Sequence, residues 1–417
     1  MPDDASPLPT HLDRVMCLRC GFGDVVMALP ALRAWRAEQA RPVLWLATRP
    51  GVDLAEVLAQ PGDAVGTYLQ LGLEHWGDAG DAAVRRRCAR WVSGLGPRTR
   101  FTGLMHAPEG LRDAAVDAGF GQTNAQEDQP VELAAAQAGA GTAAFVSEAA
   151  AAGWGLRGVP PGHATLEPPR RHRAAADAFL HAVGLPRPGR PLLAAAVNGG
   201  SDLKVWPPER LAAALLGRPA GMDALLVAGP DAERAAAVQR RLPGPLPELG
   251  PVHLLTAAAV LARCDALLTN DSGLLHLAAA VGTPCVAVFG PTAARFYMPR
   301  VSRGGPPAGE AVEAPRGGPG GVPCPLREPE HLGPPACILR GGCRWDPGAG
   351  ALRPADAPGG GGTSGGGLRS CIDRVPVAAV SAALERVLEG SGGGHLGQAA
   401  AAAPAAPAAG GSALIRG

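Results

Sequence analysis

The sequence predicts an α/β protein made of two doubly wound, parallel-sheet domains. Three observations lead there. A short apolar strand, a glycine loop, a helix and a second strand follow one another over residues 14–47. The alternation restarts near residue 192 and runs through four strands to residue 289. The chain's 417 residues, 47% hydrophobic and 18% charged, are enough for two domains with separate cores.

Arg14 to Leu18 reads as a short buried strand, followed by the loop Gly21-Phe22-Gly23-Asp24. A helix starts at Val25, with Val25, Val26, Leu29, Leu32 and Trp35 on one face at helical spacing. Pro42 to Ala47 is the next strand, which completes a βαβ unit and implies a parallel sheet with a right-handed crossover. Residues 52–135 continue in weaker alternation, and 134–158 are Ala/Gly-rich without a readable period. Pro160 to Arg190, dense in Pro and Arg, contains the connection between domains, with a hinge expected at Pro186 to Pro191.

In the second half, strands are expected at Leu192–Val197, Ala224–Ala228, Ala266–Thr269 and Cys285–Phe289. Helices are expected at Pro208–Leu216, with Pro where its missing N–H costs nothing, and at Asp231–Arg241 behind an Asp cap. Two more follow at Thr256–Arg263 and Gly273–Val281. The resulting division is 1–185 for the first domain and 186–300 for the second. Residues 301–370 read as a Gly/Pro-rich insertion without a packed core, and 371–390 as a terminal helix segment. Its apolar face, Val377, Val380, Leu384 and Val387, should pack on one of the domains. The Ala/Pro/Gly tail 391–417 is expected to be disordered.

Net charge is +1 and aromatics make up 4%, which argues against a nucleic-acid partner. No apolar run reaches the roughly 20 residues of a membrane-spanning helix. Met1 to Asp13 is polar and acidic, unlike a secretory signal. The nine cysteines are scattered, which fits a reducing cytoplasm. Four of them, Cys324, Cys337, Cys343 and Cys371, cluster late in the chain without a tight CxxC, so thiols are favoured over a metal site. No metal and no other cofactor is expected. Arg85-Arg86-Arg87 is either a solvated helix face or a contact for an anionic acceptor.

Three segments carry the chemistry. The first is Thr269-Asn270-Asp271-Ser272-Gly273-Leu274-Leu275-His276, where a strand ends and a helix begins. N–H groups at Ser272, Gly273 and Leu274 would point at an anion, Gly273 would let a phosphate approach, and His276 would face the same spot. The plainer reading makes Asp271 or Ser272 a helix cap. The second is Asn198-Gly199-Gly200-Ser201-Asp202-Leu203-Lys204-Val205-Trp206-Pro207, a small-residue loop whose Lys204 can neutralise a pyrophosphate. The third is Gly21-Phe22-Gly23-Asp24, where Asp24 is either a helix cap or a carboxylate base facing a cleft.

Read in chain order, these segments resemble glycosyltransferase family 9, the lipopolysaccharide heptosyltransferases. The family's Gly-Asp and apolar helix with Pro-x-Leu appear as Gly23-Asp24 and Pro30-Ala31-Leu32. Its Lys-x-Trp-Pro appears as Lys204-Val205-Trp206-Pro207, and its Asp-Ser/Thr-Gly-x-x-His as Asp271 to His276, followed by Phe289-Gly290-Pro291-Thr292. The resemblance covers 14–60 and 190–300 and does not extend to the Gly-rich insertion. It implies a GT-B fold of two Rossmann-like domains facing a cleft. It implies inverting, metal-independent transfer of a sugar, best heptose from ADP-heptose, to a saccharide or lipid-linked acceptor such as a lipopolysaccharide core. Asp24 then matches the general base and Lys204 the contact to the donor phosphates. Gly199, Gly200, Ser201, Asp271, Ser272, Gly273 and His276 line the donor site, with Glu233 on the ribose. Gly21 and Gly23 form the acceptor-side loop. The implied location is the cytoplasm, at the inner membrane's cytoplasmic face if the acceptor is lipid-linked. Competing readings are another GT-B nucleotide-sugar enzyme, such as a different transferase or an epimerase, and a non-catalytic nucleotide-sugar binder.

Overall fold

The computed structural model describes residues 7–18, 20–73, 81–96, 98–104, 150–151, 154–157, 159, 165–299, 309–314, 345–346, 351–352 and 371–391. Cys324, Cys337, Cys343, most of the Gly/Pro-rich insertion and the tail from 392 lie outside them.

The first half contains β1 (Arg14–Leu18), α1 (Phe22–Glu38), β2 (Leu44–Ala47), α2 (Arg49–Ala55), β3 (Ala64–Thr67), α3 (Ala82–Ser93) and β4 (Arg100–Gly103). Its four strands are parallel, in the order β3-β2-β1-β4. Next, α4 (Arg170–Ala182) leads into β5 (Leu192–Ala196), α5 (Pro208–Leu216), β6 (Asp223–Val227), α6 (Ala232–Gln239) and β7 (Glu248–Leu249). The half continues with α7 (Leu254–Leu261), β8 (Ala266–Asn270), α8 (Gly273–Ala280), β9 (Cys285–Phe289), α9 (Ala294–Tyr297) and β10 (Gly309–Glu313). These strands form a second parallel sheet, β10-β9-β8-β5-β6-β7. The two-residue strands β11 (Trp345–Asp346) and β12 (Ala351–Leu352) pair antiparallel, and α10 (Val377–Ser391) closes the described chain.

Both sheets are doubly wound. In each, the first strand has its successor on one side and the fourth strand on the other, which puts a topological switch point beside β1 and beside β5. The three chemistry-bearing segments leave β1, β5 and β8 at their carboxyl ends, where open α/β sheets bind ligands.

Two boundaries differ from the sequence reading. Helix α1 begins at Phe22, with Gly21 as its N-cap, so Asp24 is the third helical residue and not the cap. The strand β10 lies inside the segment expected to be an unpacked insertion and pairs with β9 as the sheet's sixth strand. Its sequence, Gly-Glu-Ala-Val-Glu, carries two glutamates, Glu310 paired with Arg386 and Glu313 accepting the Ala294 N–H, and so lacks an apolar run. Gly309, at φ 148°, is required there, because a Cβ would stand 1.8 Å from the Cys285 carbonyl oxygen.

The two sheets meet through their helices. One hydrophobic cluster takes in Leu29, Leu32, Trp45 and Leu54 of the first half and Leu255, Leu275, Leu277 and Phe289 of the second. Helix α1 is consequently buried nearly all round: Met27, Ala28 and Ala31 are covered as well as the face read from the sequence. Helix α10 packs through Val380, Ala383 and Leu384 in the core cluster of the second sheet, beside Leu193, Leu226 and Val286.

Two buried carboxylates tie loops to this frame. Asp63 accepts from Nε and Nη2 of Arg36, both at 2.8 Å, from the backbone N–H groups of Val43 and Gln60, and from Trp45 Nε1. Asp223, at the start of β6, accepts from the Arg187 backbone and from both the Arg187 and Arg190 guanidinium groups. The segment expected to act as a hinge is thereby pinned to the second sheet. Burial raises both carboxyls, but the hydrogen bonds and arginine charges outweigh it and hold them below the usual Asp range.

Asp63→Ala leaves Arg36 buried without its partner and is expected to cost about 3–5 kcal/mol in urea unfolding. Because both carboxyls are depressed in the folded state, their contribution is complete above the unfolded Asp value, about 3.9. It is lost as pH falls from there through the lower folded values. Asp63→Asn should flatten the acid limb of the stability–pH curve, a change read by urea midpoints across that range.

Candidate active site

Helix α1 starts with Gly21 in an extended N-cap conformation, and the Asp24 carboxylate turns back to accept the Gly21 N–H at 3.1 Å. This reciprocal arrangement fixes the loop after β1. Asp24 is half-buried. Beneath it, burial, and then the nearby Asp24 charge, push the Cys20 thiol well up, so it stays neutral. The Cys20 carbonyl accepts from Thr48 Oγ1 at 3.1 Å, which anchors the loop to the end of β2.

Helix α8 starts from Ser272, whose hydroxyl makes no capping bond to the first turn; it lies 3.2 Å from Thr269 Oγ1 instead. Neither Asp271 nor Ser272 therefore supplies the side-chain cap that the plainer reading assigned to them. The first turn of α8 packs against the first turn of α1. A Cβ on Gly23 would stand 2.9 Å from the Gly273 Cα and 3.3 Å from His276 Cδ2. His276 is buried in this contact. The room expected over Gly273 for a phosphate is filled on its Cβ side by the Phe22 ring, 2.4 Å from where a Cβ would be. In this conformation Gly273 is needed for packing.

Lys204 reaches the same end of the sheet from the short helical turn Asp202–Lys204. Its Nζ donates to Asp271 Oδ2 at 2.7 Å, and the Thr292 hydroxyl donates to the same oxygen at 2.6 Å. The Lys204 ammonium also lies 5.5 Å from the Tyr297 ring centre. An ammonium has three donors, so a Lys204 that gives one to Asp271 retains two for an anion. Asn270 joins the two loops: its Oδ1 accepts the Trp206 N–H and its Nδ2 donates to the Asn198 carbonyl, both at 2.9 Å. Trp206 is buried and donates from Nε1 to the Val375 carbonyl, while a Cβ on Gly290 would meet Ile372 at 2.6 Å. The residues before α10 therefore brace the site from behind.

The other sequence-derived residues are nearby in the fold but less engaged. Ser201 caps the Asp202–Lys204 turn by accepting the Leu203 N–H, and Gly199 packs on Val205. Gly200 has open space where a Cβ would be. Glu233 is exposed in the first turn of α6. Arg85, Arg86 and Arg87 form an exposed face of α3. Cys371 is half-buried beside the second core.

The sequence reading missed a group of side chains at the junction of the halves: Asp53 and Glu56 around the end of α2, His172 on α4, and His253 capping α7. Each looks ordinary in its own segment.

Comparison with known proteins bears on the segments around Lys204 and Asp271. Residues 143–303 match the model of glycosyltransferase family 9 (heptosyltransferase). Over 50 residues the chain is 46% identical to the lipooligosaccharide heptosyltransferase 2 of Haemophilus influenzae, a match spanning 12% of this chain and 14% of that protein. Among solved structures, a glycosyl transferase family 9 protein from Veillonella parvula superposes with a TM-score of 0.62 at 18% identity, over 92% of this chain and all of that one. The Escherichia coli ADP-heptose lps heptosyltransferase II superposes at 0.50 and 18% identity, over 72% of this chain and 89% of its own. In fold the chain is thus of the GT-B type seen in these structures, and in sequence it is heptosyltransferase-like over residues 143–303.

Gly273→Ala is expected to destabilise by about 1–3 kcal/mol, because the methyl must push Phe22 aside. In a double-mutant cycle with Phe22→Ala the two costs should not add, a coupling read from thermal or urea unfolding.

Proposed function

We propose that the chain is a glycosyltransferase that moves a sugar from a nucleotide-diphosphate donor to a hydroxyl acceptor with inversion. The donor we favour is ADP-heptose and the acceptor a lipopolysaccharide-core-like saccharide, as the names of the similar proteins suggest. One observation carries the reading: a helix start bearing a carboxylate, Asp24, packs directly against a helix start accompanied by a half-buried Lys204 paired with a buried Asp271. A base candidate and a phosphate-binding candidate, 180 residues apart in sequence, share one locus.

In this reading the first sheet and its helices, through residue 185, hold the acceptor, with Gly21 and Gly23 shaping the loop that faces it. The second, from residue 186, holds the donor on the N–H groups of Ser272 and Gly273, with Gly199, Gly200 and Ser201 near the phosphates and Glu233 toward the ribose. His276 supports that helix start from below. As the acceptor oxygen attacks the sugar, the diphosphate leaves with growing negative charge. The positive end of α8 and the ammonium of Lys204 stabilise that charge, which needs no metal in this scheme. Asp271 keeps Lys204 aimed. Asp24 takes the proton from the acceptor hydroxyl. Because Phe22 covers Gly273, donor entry is expected to shift that ring or to separate the helix starts. Among the described residues no helix is long and apolar enough to cross a membrane. A cytoplasmic enzyme working at the inner face of the membrane fits the acceptor class.

Lys204→Ala should weaken ADP-heptose binding by roughly 10-fold or more, the scale of a lost hydrogen bond to a charged group. Calorimetry on a variant shown to be folded measures it; unchanged affinity would remove Lys204 from the donor site. Asp24→Asn retains an acceptor for the Gly21 N–H and should cost little stability. Turnover should fall by roughly 10²-fold or more while donor affinity is kept. A variant within a few-fold of the parent in a transfer assay would leave the site without its base.

A further inference from the structure

At the junction of the two sheets, four side chains from three elements converge. Glu56 Oε2 lies 3.2 Å from His172 Nε2 and 3.7 Å from His253 Nε2, and Asp53 Oδ1 lies 3.3 Å from His253 Nε2. The ligating atoms of Glu56, His172 and His253 all fall within 4.8 Å of one another. Around a tetrahedral zinc ion, with bonds of about 2.1 Å, neighbouring ligand atoms stand about 3.4 Å apart, close to these separations. Asp53 is buried, and its Oδ1, which faces this group, has no hydrogen-bond partner; its Oδ2 accepts the Leu254 N–H at 2.7 Å. A buried carboxylate oxygen left this way is costly unless a cation meets it.

We propose that Asp53, Glu56, His172 and His253 form a site for a divalent transition metal of the zinc class, which clasps α2 to α4 and α7. The donor set suits such an ion: two imidazoles and two carboxylates. His172 is prepared for it. Its Nδ1 stands 2.8 Å from Thr256 Oγ1, and an N–H donated there leaves the Nε2 lone pair for the metal, the usual outer support of a ligating histidine. The rings of His172 and His253 stack at 4.4 Å, an arrangement that opposes charge on both.

Two contacts must yield. Arg171 pairs with Glu56 at 2.5 Å and points Nε at His172 Nε2 at 3.2 Å, so it occupies the cation's place; its side chain is 70% exposed and can swing to water. His253 Nδ1 accepts the Leu255 N–H at 3.3 Å, a long bond given up when Nδ1 carries hydrogen. The inference does not depend on the proposed reaction.

The test is zinc titration of the tag-free, fully reduced full chain by calorimetry, with metal analysis and melting midpoints. One zinc per chain, a raised midpoint, and a cobalt(II) spectrum of tetrahedral nitrogen and oxygen ligation are expected. Thr256→Val should weaken zinc roughly 10–100-fold by removing the outer support. Arg171→Ala should tighten it by removing the competing cation. His172→Gln/His253→Gln should abolish it, whereas His181→Gln, an exposed position on the same helix, should not. Absence of stoichiometric zinc in the parent protein would overturn the proposal. So would a thiolate–cobalt band, or zinc affinity that survives in the double variant, since either would assign the metal to cysteines or to chance sites.

Discussion

Backbone contact between two helix starts organises this molecule. At Gly23 and Gly273 the first turns of α1 and α8 approach so closely that neither tolerates a side chain without displacement. Only glycine permits such an approach, and the Phe22 ring seals it. Two positive helix ends converge there, which disfavours the contact unless negative charge is near. Asp24 and Asp271, each within two residues of the contact, supply it. The same arrangement of backbone leaves both helix starts, with their positive ends, at the locus where the donor diphosphate is proposed to bind.

Around that contact, the second half is braced more heavily than the first. Asn270 joins the ends of β5 and β8, Trp206 carries the brace to Val375, and Ile372 fills the space beside Gly290. The Lys-x-Trp-Pro segment thus contains one residue facing the site and one buried behind it. Lys204 is held by Asp271, and Asp271 by Thr292, so a charge that would otherwise wander on a long flexible stem is kept in place. On the first side the loop is held more lightly, by Asp24 itself and by Thr48. An acid that closes a helix start has little freedom to drift, which would suit the base proposed above.

Much of this was legible from the residues alone. The four inner strands of the second sheet are buried on both faces, so Leu192–Ala196 and Cys285–Phe289 read as unbroken apolar runs and their limits came out within a residue or two. The glycine loops and the residues after β8 announced themselves because turns and helix starts need particular residue types at particular offsets. The first half was harder. Its strands β3 and β4 have four residues each, too few to show a period. Strand β10 was hidden by its own two glutamates.

Tertiary structure alone decided the rest. The sequence shows one apolar face on α1, but α8, some 250 residues later, covers the other and makes the helix central. Gly273 suggested an opening for phosphate, yet the space a Cβ would take belongs to Phe22. Glu56 and His172 stand 116 residues apart, and Asp53 and Leu254 stand 201 apart, so no local pattern links them. Periodicity and turn chemistry act over the few residues that one helical turn or one pleat brings together, and these the sequence determines. Which helix covers which, and which distant side chains come to share a buried corner, depends on how whole sheets dock, a choice made by shape and burial across the folded chain.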